Sequence, residues 1–246
     1  MVEGIRRDMN KHRRCIVVFV LVIMLLLAGC GESKNSLNQT AVGGHIDFDK
    51  LKEQNPEIFA WVYVPGANID LPVLQSAASD TYYEDHDWQG KEDEDGSLYT
   101  EMANLMNMCD FNTIIHGHTT EQETMLSDLH KFSDQDFFEH NGQVYVYLPD
   151  NVLTYEIISC YTEDKRSIIR DYNLVSYEGC EQYIADMQAS ANENGIYRSG
   201  WEEITPYYFL LSFVTDCTED DGKQYVVTAA LVNDTTGQID RIVYEN

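Results

Sequence analysis

Residues 209–217 read Phe-Leu-Leu-Ser-Phe-Val-Thr-Asp-Cys, an apolar stretch that ends on a thiol. Residues 114–119 read Ile-Ile-His-Gly-His-Thr, a second apolar stretch that runs into glycine and stops on an imidazole. Both are short, apolar and bounded by polar residues, which predicts buried strands. Strand ends far apart in the chain can meet across a sheet while their backbones stay rigid. Cys217 and His118 are therefore a candidate nucleophile and its proton partner. The imidazole and thiol exchange a proton, and the thiolate attacks a carbonyl. Other readings of these residues stay open. A strand-end Cys is also a small buried apolar group, and a lone His is often a hydrogen-bonded structural residue. His116 and His118, two apart on a strand, share a face and with Cys217 compose a zinc set, although no CxxC or HExxH spacing supports it.

Working outward, the remaining signals are mostly β. Trp61 to Val64 ends at the turn pair Pro65-Gly66. Ile69 to Gln75, Ser97 to Thr100 and Asn112 to His116 are further short runs. Gln143 to Leu148 alternates Val144, Val146 and Leu148 with Tyr145 and Tyr147, and Pro149-Asp150-Asn151 makes a hairpin turn into Leu153 to Tyr161. Tyr207 to Thr215, Gln224 to Val232 and Gln238 to Tyr244 are predicted to close the chain as three strands. Helical patterns are fewer. Asp47 to Gln54 has Asp47 or Asp49 to cap it and Asn55-Pro56 to stop it. Thr124 to Phe132 puts Met125, Leu129 and Phe132 on one face. Tyr177 to Asn194 repeats Tyr177, Cys180, Ile184 and Met187 at near-helical spacing. Glu84 to Asp95 is strongly acidic and reads as a solvated loop. The fold class is mainly β, a closed sheet with a few peripheral helices.

The 246 residues hold 42 Asp and Glu against 16 Lys and Arg, a net charge of −26. Nucleic acid is excluded as a partner, because a polyanion is repelled and no basic stripe exists. An aromatic content of 11% excludes a wholly disordered chain. Six Cys in this length do not make a disulfide scaffold, and the pairing of Cys109, Cys160 and Cys180 stays open.

The charge is uneven. The first 30 residues hold five basic and two acidic side chains, so the rest carries 11 basic and 40 acidic, a net of −29. Lys11-His12-Arg13-Arg14 precedes the 12-residue apolar run Ile16 to Leu27. That is a basic region and an apolar core of the length expected of a secretory signal, shorter than the ~20 residues of a spanning helix. Leu27-Ala28-Gly29-Cys30 resembles a bacterial lipobox, in which the Cys is acylated after cleavage just before it. The predicted organisation is a signal peptide over 1–29, a small, polar, flexible tether over 30–45 and a folded domain over 46–246. The domain then lies outside the cytoplasm, held at the membrane by a lipid on Cys30 or by an uncleaved N-terminal anchor.

Asn55 to Gln75 (NPEIFAWVYVPGANIDLPVLQ), Gly117-His118 with Thr124 to Leu129, Phe137-Phe138-Glu139-His140, and the closing pattern of strand, Cys217, short loop and Tyr225-Val226-Val227 together resemble class B sortases. The resemblance runs over about residues 46–232. It implies an eight-stranded sortase-like β-barrel with an N-terminal helix and a helix-containing insertion between late strands, here 163–205. It also implies a cysteine transpeptidase without metal or cofactor. Cys217 would attack a Thr carbonyl in the sorting signal of a surface protein. His118 would protonate the departing amine and deprotonate the incoming one. The thioacyl-enzyme would be resolved by an amine acceptor such as a peptidoglycan precursor or a pilin lysine. Two departures stand out. Asp216 precedes the thiol, and a neighbouring carboxylate disfavours thiolate. Gln224 occupies the position of the family's oxyanion-binding Arg, leaving Lys223 and Arg241 as poorer substitutes. The alternative implied by these departures is a sortase-fold lipoprotein that binds peptide or wall components with impaired turnover. A further variant is hydrolysis, with water resolving the thioester.

Overall fold

The computed structural model describes residues 45–120 and 124–240. The predicted signal peptide, the acylated Cys30, the tether up to residue 44 and Arg241 lie outside the described residues. Helix α1 (Phe48–Gln54) begins where the Asp47 side chain accepts from the Lys50 N–H. It buries Phe48 and Leu51 and ends at Asn55, before Pro56, where the chain is pushed into extended geometry. Strands β1 (Ile58–Val64) and β2 (Ile69–Leu74) form a hairpin around Pro65–Ala67, closed by Asn68 at a left-handed φ of 50°.

The sheet continues through β3 (Leu98–Tyr99), parallel to β2, and β4 (Asn112–His116), antiparallel to β3. Next comes β8 (Leu210–Asp216), parallel to β4, then β9 (Lys223–Asp234), β6 (Asn151–Asp164) and β5 (Gln143–Leu148). Pairing of β5 with β1 closes the ring at eight strands. The sheet thus has no long open edge. A ninth strand, β7 (Gly195–Tyr197), sits outside the ring on the far half of β6.

Closure explains why β8 reads as continuously apolar. Leu211 and Phe213 point into the barrel beside Val227 and Ala229. Leu210 and Val214 point outward with Val226 and Ala230, under the segment that joins β6 to β8. That segment holds α3 (Ile168–Asp171) and α4 (Tyr177–Asn194), with the short helix α2 (Gln135–His140) lying earlier, before β5. Helix α4 starts where Ser176 accepts from the Gly179 N–H, and its face of Cys180, Tyr183, Ile184, Met187 and Ala191 is buried. That face replaces water over β8 and β9, at about 25 cal/mol for each Å² of apolar surface covered.

The predicted barrel, N-terminal helix and late helical insertion are present. Some local expectations are corrected. Gln238 to Asp240, the described part of the last predicted strand, has no regular structure. Over Thr124 to Phe132 the helix is a 3₁₀ turn, Ser127–Ser133, because Met125 takes a left-handed φ of 52° and leaves the helical face. Tyr207 and Tyr208 precede β8 and are exposed. Among the described residues no helix is long and apolar enough to cross a membrane.

Candidate active site

Strands β4 and β8 run parallel, with His116 opposite Val214, so both end on the same rim of the barrel. The chain leaves β4 at Gly117, whose N–H donates to the Val214 carbonyl. A Cβ there would stand 2.5 Å from Leu98 Cδ2 and 3.0 Å from Leu126 Cγ. Only glycine passes between those side chains, and that passage delivers His118 to the rim.

A cleft of about 170 Å³ opens at this rim, walled by Glu84, Tyr99, His118, Lys165, Asp216 and Gln224 among others. His118 Nδ1 lies 2.9 Å from Asp216 Oδ2, and His118 Nε2 lies 2.9 Å from the Glu84 carbonyl oxygen. Both partners are acceptors, so both ring nitrogens donate and the ring is an imidazolium. The hydrogen bond to Asp216 raises the His118 pKa, against the opposing effect of burial. The same bond, helped by Lys165, holds the Asp216 carboxyl down at about 2. Lys165 Nζ stands 3.2 Å from Asp216 Oδ1, and its backbone N–H donates to Gly222 in the β8–β9 loop. One carboxylate thus bridges two cations.

Gln224 lies opposite Asp216 in the β8–β9 register and is buried. Its amide donates to Glu163 Oε1 at 3.0 Å, and its oxygen accepts from the Arg166 N–H at 3.4 Å. Arg166 itself pairs with Glu163 at 2.7 Å and lies over the Tyr172 ring. The cation that reaches the cleft is therefore Lys165, and neither Lys223 nor Arg166 lines it.

Cys217 follows Asp216 and continues the ladder, its N–H 3.4 Å from the Lys223 carbonyl. Within β8, strand alternation gives Val214 and Asp216 one face and Thr215 the other, and Cys217 is the first residue past the strand. The Cys217 thiol is half-buried and in no disulfide. The side-chain hydrogen bond of His118 goes to Asp216. The zinc set does not assemble. His116 stacks on Tyr99 at 5.2 Å and faces Glu101 at 3.6 Å, and among the described residues no three metal-binding side chains gather. Cys109 and Cys160 are in no disulfide, Cys160 donates to the Phe132 carbonyl, and Cys180 Sγ donates to the Leu174 carbonyl.

Four contributors were not legible beforehand. Glu84 belongs to the acidic loop, and its backbone carbonyl accepts from His118 while its charge faces the same ring. Lys165 sits in a polar stretch with no distinguishing pattern. Tyr99 lies on a two-residue strand. His130 Nε2 donates to the Asp216 backbone oxygen at 3.0 Å and lies 3.1 Å from the Thr119 hydroxyl, and the ring stacks on Tyr225 at 4.6 Å. Burial lowers its pKa.

An eight-stranded barrel with a parallel β4–β8 pair carrying His and Cys at one rim, under a helical insertion, defines a sortase-type protein. No family model matches the sequence. Sortase B of Listeria monocytogenes is 33% identical over 100 residues, which is 40% of this chain and 40% of that protein. Sortase B of Staphylococcus aureus is 23% identical over 185 residues, 75% of this chain and 74% of that one. Among solved structures, a mutant form of Clostridium perfringens sortase B superposes with a TM-score of 0.68 at 25% identity, covering 76% of this chain and 86% of the other. A Staphylococcus aureus sortase B–substrate complex shares the fold at a TM-score of 0.66 and 21% identity, over 76% and 84%. The chain is thus similar to class B sortases in sequence and shares their fold.

Proposed function

We propose that the cleft receives the sorting signal of an exported surface protein and transfers it to an amine at the outer face of the bacterial membrane. The observation that carries this reading is the convergence of the β4 and β8 ends, with His118 and the Asp216–Cys217 pair at one rim. The Cys217 thiolate attacks the Thr carbonyl and the C–N bond breaks. The His118 imidazolium gives its proton to the departing amine. An amine of a peptidoglycan precursor or a pilin then attacks the thioester, giving a proton back to the imidazole as the C–S bond breaks and the Cys217 thiolate is released. The developing oxyanion needs a preorganised donor, and the cation within the cleft is Lys165. Acylation of Cys30 would hold the domain where exported substrates emerge.

A second reading is favoured by the same rim: the peptide is held without turnover. His118 is committed to Asp216, and Gln224 is committed to Glu163 and Arg166. One experiment separates the two. The full chain is incubated with a panel of Thr-containing sorting-signal peptides and an amine, and followed by intact mass. A thioacyl adduct on Cys217 that the amine resolves supports transfer. Peptide binding with no adduct on any panel member supports retention.

A further inference from the structure

Asp216 has no role in the transfer just described, yet it makes the side-chain hydrogen bond to the imidazole that the transfer uses. Strand β8 presents its carboxylate to His118 at 2.9 Å, one residue before Cys217. We infer that Asp216 is a positioning residue that holds His118 and Lys165 in a clamped arrangement, so that the thiol–imidazole proton exchange requires this carboxylate to let go.

The inference rests on the transfer reading only for its consequence, since the clamp itself is geometric. Every group around the ring fits it. Asp216 approaches Nδ1 from β8, and the Glu84 carbonyl takes Nε2 from the acidic loop. Lys165 at the end of β6 neutralises the second Asp216 oxygen and discourages that carboxylate from turning away. His130, from the 3₁₀ turn, bonds the Asp216 backbone oxygen and fixes the strand end. Tyr99, on β3, and His116 line the same cleft, with His116 turned to Glu101. With both nitrogens donating, the ring has no lone pair to take the thiol proton. When Asp216 lets go, the ring loses the support for its second proton, gives that proton to solvent and becomes a neutral base. The proton of Cys217 Sγ then moves to His118, leaving a thiolate beside an imidazolium.

The test needs no peptide. Full-length protein in detergent is alkylated with iodoacetamide from about pH 5 to 9, and modification of Cys217 is read by peptide mass. In that step the sulfur displaces iodide and forms a thioether. Four proteins are compared: the natural chain, Asp216→Ser, His118→Ala, and the double variant. Cys109, half-buried and distant in sequence, serves as the internal reference thiol. Asp216→Ser should alkylate Cys217 about tenfold faster near neutral pH, one pKa unit in thiolate population. Its rate–pH midpoint should move to lower pH, and the gain should vanish in the double variant. An unchanged rate in Asp216→Ser overturns the inference. So does a gain that survives loss of His118, because it would then come from removing a neighbouring negative charge. If Asp216→Ser does not fold, Asp216→Asn, which keeps the shape, is read against the same criteria. Absence of peptide transfer in the mass assay of the preceding section would reject the function and leave this result standing.

Discussion

Asp216 and Gln224 face each other across the β8–β9 ladder, and each is tied to the same short segment at the end of β6. Asp216 takes Lys165, and Gln224 takes Glu163 and the Arg166 backbone N–H. The insertion that begins there therefore reaches both of these positions on the rim.

The first consequence concerns pH and stability. His118 has a raised pKa in the folded state, so its contribution is complete below the unfolded value near 6.5 and is lost as pH rises through the raised value. Asp216 has a lowered pKa, so its contribution is present above the unfolded value of 3.8 and is lost as pH falls towards about 2. The pair should stabilise the fold most between about pH 4 and 6.5. Both side chains are partly exposed, so the effect is modest and weakens with salt. Urea midpoints across pH for the natural chain and Asp216→Asn check this. The difference between them should shrink on both sides of that window.

Gln224→Arg should raise the rate of thioester formation. A single oxyanion donor is worth roughly 10²–10³ in rate. The gain should fall well short of that, because Glu163 stands 3.0 Å from the Gln224 amide and will capture part of the new charge. Adding Glu163→Gln should recover more of it. Rates measured with one peptide on the three proteins test the order. An unchanged rate in both variants would remove residue 224 from the oxyanion site.

Gly117→Ala should impair both folding and site geometry. Its Cβ would meet Leu98 Cδ2 at 2.5 Å and Leu126 Cγ at 3.0 Å, both in the packed barrel interior. Overpacking of this kind costs about 1–3 kcal/mol. Displacement of the chain at 117 moves His118 with it, so alkylation or transfer at Cys217 should change even under conditions where the variant is folded. Denaturant melts paired with the rate measurement separate the two effects.

Tyr183→Phe tests how the insertion is fastened. The Tyr183 hydroxyl bonds Ser212 at 3.0 Å in a buried cluster, and Ser212 bonds Thr228 at 3.0 Å. Removing the hydroxyl leaves those two with each other, so the loss should be only about 1 kcal/mol. Tyr183→Ala removes the ring from the outer core and should cost about 3–5 kcal/mol. Thermal melts of both give the ratio.

Much of the fold was readable in one dimension because its determinants are local. Asp47 caps α1, Pro65 and Gly66 turn β1 into β2, and the repeat of Cys180, Ile184 and Met187 marks α4. Each of these acts within a few residues. Where tertiary contacts compete, local reading failed. Met125 looked helical by spacing, but the tight connection after His118 takes it into a left-handed turn.

Sequence by itself determined that an apolar strand ending in Asp-Cys and another ending in Gly-His would exist, since strand period and turn chemistry are properties of neighbours along the chain. Only the tertiary structure decided which of the two adjacent side chains meets His118. Successive residues of a strand face opposite ways, and the β4–β8 and β8–β9 registers are set by barrel closure, by pairings between segments as far as a hundred residues apart. That register turned Asp216 to the imidazole.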